Sequence, residues 1–198
     1  MKRIIILRYI ASELYALFEN FIVKYPNTRL GMKMRVKYWS SKLNIGNNPH
    51  IYQNVILHST SRDLIDIKDN VIFGPGVVVN IGPCKGFYVG SNTGIAKDTF
   101  IRSANHKFDR VDISYQEQGH DYKVVSFNNR DYSIVIEDDC WIGAHCILLS
   151  GTHLGKGTIV SAGSVVSSVV PPYSIVIGNP ARVIGNRLKN QKVSNDKI

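Results

Sequence analysis

His106 stands in "IRSANHKFDR", at the start of a polar and aromatic stretch that runs on through "VDISYQEQGHDYKVVSFNNRDYS". A neutral imidazole, with an ordinary pKa of roughly 6.5, can take the proton of a hydroxyl that is barely ionised at neutral pH and needs no permanent charge to do so. The chemistry this residue type serves is general-base activation of an alcohol, the protonated ring afterwards returning its proton to a leaving group. Such a base needs a neighbour that fixes its tautomer. Asp109 and Glu117 are near enough in sequence, a backbone carbonyl would also serve, and the sequence does not choose among them. The three cysteines, Cys84, Cys140 and Cys146, form an odd set without C-x-x-C spacing, which indicates neither a disulfide framework nor a zinc knuckle. They read as reduced, structural thiols.

What positions His106 is a repeat. Ile136, Ile142, Leu148, Leu154, Val160 and Val166 stand six residues apart without a slip. Four residues after the first five come Cys140, Cys146, Thr152, Thr158 and Ser164, all small or β-branched. Earlier segments repeat the spacing as Ile45, Ile51, Leu57, then Ile67, Phe73, Val79, then Val89, Ile95, Ile101. A helix repeats near 3.6 and a strand near 2, so a fixed period of six signals a solenoid. A short strand and a turn fill each period, three periods close one triangular coil, and the aliphatic side chains stack into ladders. Gly and Asn at the corners accept positive φ, and Asp or Asn in "IEDDC", "IKDN" and "VGSN" can bond back to the turn backbone. The register breaks between Ile101 and Ile136, thirty-five residues apart and no multiple of six. A loop excursion is therefore expected at about 103–133, with His106 at its mouth, and a loop held by rigid coils is a usual place for chemistry.

With "VIGNPARVI" at Val176–Ile184 closing the repeats, residues 43–187 resemble the left-handed β-helix acyltransferases, in particular the sugar O-acetyltransferases related to galactoside and maltose acetyltransferases and to capsule and O-antigen acetyltransferases. The resemblance implies an all-β solenoid wound left-handed and a homotrimer with acetyl-CoA lying between neighbouring subunits as co-substrate, no metal being required. "ANH" at 104–106 resembles the motif whose histidine is the catalytic base, acting by direct transfer with no acyl-enzyme; Lys107 replaces the family's usual proline. Asn80, in "VVVNIG", matches an acceptor-binding asparagine and reads equally as a corner residue. Asp109 and Trp141 are further candidates for the acceptor. For CoA the resemblance points to Trp141 and Ala144 in "WIGAH", Ala162 in "SAGS", and Arg182, a guanidinium facing phosphate. Ser167 and Ser168 stand where relatives carry Thr-Lys, a lost cation that weakens CoA binding unless Arg187 and Lys189 compensate.

Composition is consistent with this. The 198 residues, 44% hydrophobic and 20% charged, suit one main domain, and mean hydropathy is −0.06. The charge is uneven: residues 1–42 carry net +7 of the chain's +9. There Ile6, Ile10, Leu14, Leu17, Phe18 and Phe21 recur at three- and four-residue steps, as on one side of an amphipathic helix. That basic segment is expected to pack on the fold or on a partner subunit; the alternative is an anionic membrane surface beside lipid-linked substrates. No convincing cleavage site follows it, and a cytoplasmic place, at the membrane's inner face if the helix binds lipid, is expected. No nucleic-acid-binding pattern is present. Residues 188–198 read as a flexible tail. The six histidines lack the H-x4-H pair of the carbonic anhydrases that share the solenoid. The sequence thus points to an O-acetyltransferase acting on a sugar in surface polysaccharide synthesis, with amino-sugar or serine-type N-acyl transfer and a non-catalytic scaffold as the other readings.

Overall fold

The computed structural model describes residues 2–190, so most of the expected tail, 191–198, lies outside the described residues; before it, Arg187–Asn190 form a 3-10 turn. From Asn44 onward the chain winds through short strands that build three sheets of six, seven and five strands. Pairing within these sheets is parallel, except for the closing hairpin of Ser174–Gly178 with Ala181–Asn186, which contains "VIGNPARVI". The sequence ladders align in register. Ile45, Ile67, Val89, Ile136, Leu154 and Val170 stack in the first sheet. Ile51, Phe73, Ile95, Ile142, Val160 and Val176 stack in the second, and Leu57, Val79, Ile101, Leu148 and Val166 in the third. All but Ile45 are buried and form one continuous core.

The corners follow from backbone sterics. Three residues after a ladder position the chain turns through the left-handed region: Asn48, Asn54, Asn70, Asn92, Asp98 and Asp139 all have φ between 51° and 60°, where Asn and Asp are the non-glycine residues most at ease. Gly143 serves a different need, since a Cβ there would meet the amide nitrogen of Ala162 on the next coil at 2.5 Å. The acidic corner residues do not bond to their own turns. Asp138 accepts the amide of Ser91 at 2.7 Å and Asp69 that of Asn47 at 2.6 Å, tying each coil to the one before it. Parallel stacking puts that neighbouring amide within closer reach.

The helical N-terminal segment is two helices, α1 (Lys2–Lys24) and α2 (Arg29–Lys42). The chain breaks around Pro26, whose ring cannot continue a helix, and Thr28 caps α2 by accepting the amide of Gly31 at 3.1 Å. Arg35 anchors α2 on the first coil: fully buried, it donates to the carbonyls of Ile51 and Tyr25 and to Asn27 Oδ1. α1 packs on the fold, as expected, but not through its apolar stripe. It meets α2 through Tyr15, Glu19, Ile22 and Val23, with Tyr15 Oη 3.2 Å from Tyr38 Oη and Glu19 paired to Lys42. Most of its apolar stripe, Ile6, Ile10, Leu14 and Leu17, is exposed.

Candidate active site

The excursion leaves the corner between the third and first sheets after Phe100–Arg102 and folds as two hairpins. In the first, Asn105–His106 pairs antiparallel with His120–Asp121, placing His106 opposite His120. The second pairs Val125–Phe127 with Arg130–Tyr132 and lays its aromatics on the outer side of the first sheet, against Tyr88 and Val135. The loop thus has its own small core and is held at both ends by coils.

His106 is half-buried, and its ring lies 5.1 Å from that of His120 and 5.4 Å, edge on, from that of Tyr115. Its Nδ1 is buried and has no hydrogen-bond partner among the described residues. An unpaired buried nitrogen is uncommon because its desolvation goes uncompensated. Neither Asp109 nor Glu117 bonds to the ring; both are exposed, Asp109 lining a cleft with Lys107, Phe108 and Asp121. The strand before the histidine is fixed by Ser103, buried, which donates its amide to the Asn80 carbonyl at 3.3 Å and receives the Gly82 amide on its hydroxyl. Asn80 sits in register between His58 and Arg102. These three side chains project from successive coils on the face opposite the core, next to where the His106 strand begins. Below them a cavity of about 300 Å³ opens between α2 and the first coil, lined by Trp39, Lys42, His58, Ser61 and Arg62 among others, and the buried Trp39 Nε1 has no partner there either.

The remaining candidates are spread around the solenoid. Ala144 and Ala162 are stacked at the corner between the second and third sheets, the carbonyl of Ala144 accepting the amide of Gly163 at 2.9 Å. Trp141 lies on the outer side of the second sheet with its ring over Gly94, half-exposed beside a cleft that also touches Asn92, Ile159 and Arg187. Arg182 is exposed on the closing hairpin, and its nearby acceptor is the Ala181 carbonyl. Ser167 and Ser168 share the corner used by the excursion, two coils further on. Arg187 is engaged with Asp139 at 3.0 Å and with the Gly157 carbonyl, so it holds the solenoid's end together. One chain therefore brings Asn80 beside the His106 strand but keeps both a full sheet's width, roughly 15–20 Å, from the Ala144 and Ala162 corner. His120, Tyr115, His58 and Arg102 were not foreseen. Their link to the site lies in strand register, which no motif carried.

The cysteines are settled by burial. Cys140 and Cys146 point inward, and desolvation pushes the Cys140 thiol up to about 12 and raises that of Cys146. Thiols so far from ionisation are poor nucleophiles.

The fold and site define a solenoid of six-residue units carrying a histidine-bearing loop. Residues 133–168 match the family described as bacterial transferase hexapeptide (six repeats). The chain is 28% identical over 147 residues to the Mycobacterium tuberculosis protein named "Probable acetyltransferase Rv3034c", 74% of this chain and 45% of that one, so it spans under half of that relative's length. Among solved structures, the hexapeptide-repeat acetyltransferase VCA0836 from Vibrio cholerae superposes with TM-score 0.65 at 24% identity, covering 93% of this chain and 92% of that one. AntD, an N-acyltransferase from Bacillus cereus in complex with dTDP and 3-hydroxybutyryl-CoA, gives 0.60 at 22%, covering 74% and 73%. A maltose O-acetyltransferase from Clostridium difficile gives 0.57 at 18%, covering 88% and 84%. At these identities the structural likeness is one of fold.

Proposed function

We propose that this protein is an acetyl-CoA-dependent O-acetyltransferase acting on a sugar hydroxyl in surface polysaccharide synthesis, as a left-handed, trimeric β-helix with His106 as general base. The observation that carries this reading is the buried, unpartnered Nδ1 of His106, held in a hairpin at the solenoid's edge. With Nδ1 closed off from solvent and the ring only half-buried, the other ring nitrogen, Nε2, is the atom that meets an acceptor hydroxyl. His106 takes the hydroxyl proton, the oxygen forms a bond to the thioester carbonyl carbon, and backbone amides stabilise the oxyanion. The C–S bond then breaks, and the imidazolium gives its proton to the departing thiolate. His120 and Tyr115 hold the ring by contact. Asn80, flanked by His58 and Arg102 and leading to the Trp39 cavity, supplies the polar surface a hydroxyl-rich acceptor requires, with Asp109 at the outer rim.

Trp141, Ala144, Ala162, Ser167, Ser168 and Arg182 are assigned to the acetyl-CoA arm. The stacked small residues at the Ala144 corner leave backbone groups open to pantetheine, while Arg182 is free on its exposed side to meet phosphate. Because this corner and the His106 edge lie a sheet apart on one chain, a complete site takes each from a different copy, which supports the trimer.

A second reading, N-acyl transfer to an amino sugar, is favoured by the likeness to AntD; base and co-substrate would be shared. The deciding experiment is acetyl-CoA turnover against a panel of neutral sugars, amino sugars and their nucleotide-linked forms, with His106→Ala alongside. O-acetylation that falls by about 10²–10⁴-fold in His106→Ala supports the first reading. Products only on amines shift it to the second, and no turnover with any acceptor, or full turnover in His106→Ala, overturns the mechanism.

A further inference from the structure

The apolar stripe of α1 faces away from the molecule. Ile6, Ile10, Leu14, Leu17 and Phe21 are each more than half exposed, and at 100° per residue they fall opposite Tyr15, Glu19, Ile22 and Val23, through which the helix meets the fold. Apolar residues turned outward along four helical turns form a larger patch than water-facing helices carry. At its edge the stripe runs into an apolar groove between the helices, lined by Phe18, Ile22, Met34 and Lys37. Lys37 also lines the adjoining cleft with Arg29 and Lys33, so the apolar surface passes directly into a basic one. From Lys24 to Lys42 there is no acidic residue, and Arg29, Lys33 and Lys37 enter no ion pair among the described residues, whereas Lys42 is paired and Arg35 is buried. No helix here is long and apolar enough to cross a membrane among the described residues.

We infer that the α1–α2 hairpin docks this protein on an anionic lipid surface, the stripe entering the headgroup boundary and Arg29, Lys33 and Lys37 meeting lipid phosphates. An apolar stripe beside unpaired cations is what such a surface selects. A second copy is the other candidate cover, and it would bring the same unneutralised cations to the joint. The inference does not depend on the acyl-transfer reading.

Sedimentation of the full chain with vesicles of phosphatidylcholine alone, and of phosphatidylcholine mixed with phosphatidylglycerol, tests it, with light scattering to give the particle mass. Binding is expected only to the mixed vesicles and is expected to weaken as salt is raised from 0.1 to 0.5 M, as charge screening demands. Leu14→Asp with Leu17→Asp should abolish binding, and Lys33→Glu with Lys37→Glu should weaken it by at least about fivefold per cation, all at unchanged particle mass. These substitutions fall on exposed helix positions, and circular dichroism confirms that the fold is retained. Failure of the unaltered chain to bind mixed vesicles overturns the inference. So does equal binding by both variants, or a fall in particle mass for Leu14→Asp with Leu17→Asp, which would assign the stripe to a joint between copies.

Discussion

Cys140 and Cys146 occupy the position that Thr93, Thr99, Thr152 and Thr158 hold elsewhere in the solenoid, four residues past a ladder residue and fully inside. What the position asks for is a small donor. Thr99 Oγ1 donates to the Gly143 carbonyl at 3.0 Å and Thr152 Oγ1 to that of Val166 at 2.9 Å, and the thiols reach the Gly155 and Ser161 carbonyls at 3.4 and 3.2 Å. Ellman's reagent at pH 8 should therefore label one thiol per native chain, the half-buried Cys84, and three after unfolding. Because the fold holds Cys140 protonated up to about 12 against a reference of 9.0, its contribution to stability is complete below pH 9 and is lost as pH rises towards 12. Cys140→Thr, which keeps the donor and removes the acid, should flatten that alkaline fall in urea midpoints relative to the unaltered chain. At the His106 hairpin, His120 packs on His106 without bonding to it, which on the proposed mechanism makes it a positioning residue. His120→Ala should lower kcat about tenfold with KM nearly constant, and His120→Phe, which restores a flat ring, should recover most of the loss; a matched rise in KM would instead place His120 on the acceptor.

At the scale of elements, the ladders carry the stability, and the proposed mechanism assigns the chemistry to the excursion. Ile142 is fully buried between Ile95 and Val160, so Ile142→Ala should cost about 2–5 kcal/mol in chemical unfolding, cavity included. Gly143→Ala should be destabilising despite its smaller change, because the added carbon meets backbone rather than a side chain that can swing away. The ladders were legible because burial at each position is dictated by a period, and a period is visible in one sequence. The excursion's limits were legible as the place where that period fails. Its interior was not: the pairing of His106 with His120 is set by an antiparallel register across residues 107–119, and nothing periodic records it. The orientation of α1 was hidden for a related reason. Spacing of Ile6, Ile10, Leu14 and Leu17 says that one side is apolar, but which side meets the fold was decided by Tyr15 and Glu19, which look like a solvent face, together with Ile22 and Val23 in the last turns.

The solenoid as a whole has three edges, and the proposed base and the small-residue corner lie on two different ones. His106 and Asn80 belong to the edge where the excursion departs, and Ala144 and Ala162 to the edge before the third sheet. If catalysis takes one edge from each of two subunits in a cyclic trimer, two differently damaged chains must repair each other. His106→Ala loses the base but keeps the Ala162 corner; Ala162→Trp blocks that corner but keeps the base. Each alone should be nearly inactive. In a 1:1 mixture refolded together, three quarters of closed trimers are mixed, and each of these has one junction in three with an intact base facing an intact corner. Recovery to about a quarter of unaltered activity is the expected result for a ring of three. Mixing without refolding is the control and should recover nothing while subunits stay associated. A refolded mixture no more active than its components would place the whole site within one chain and require the excursion to reach across the third sheet.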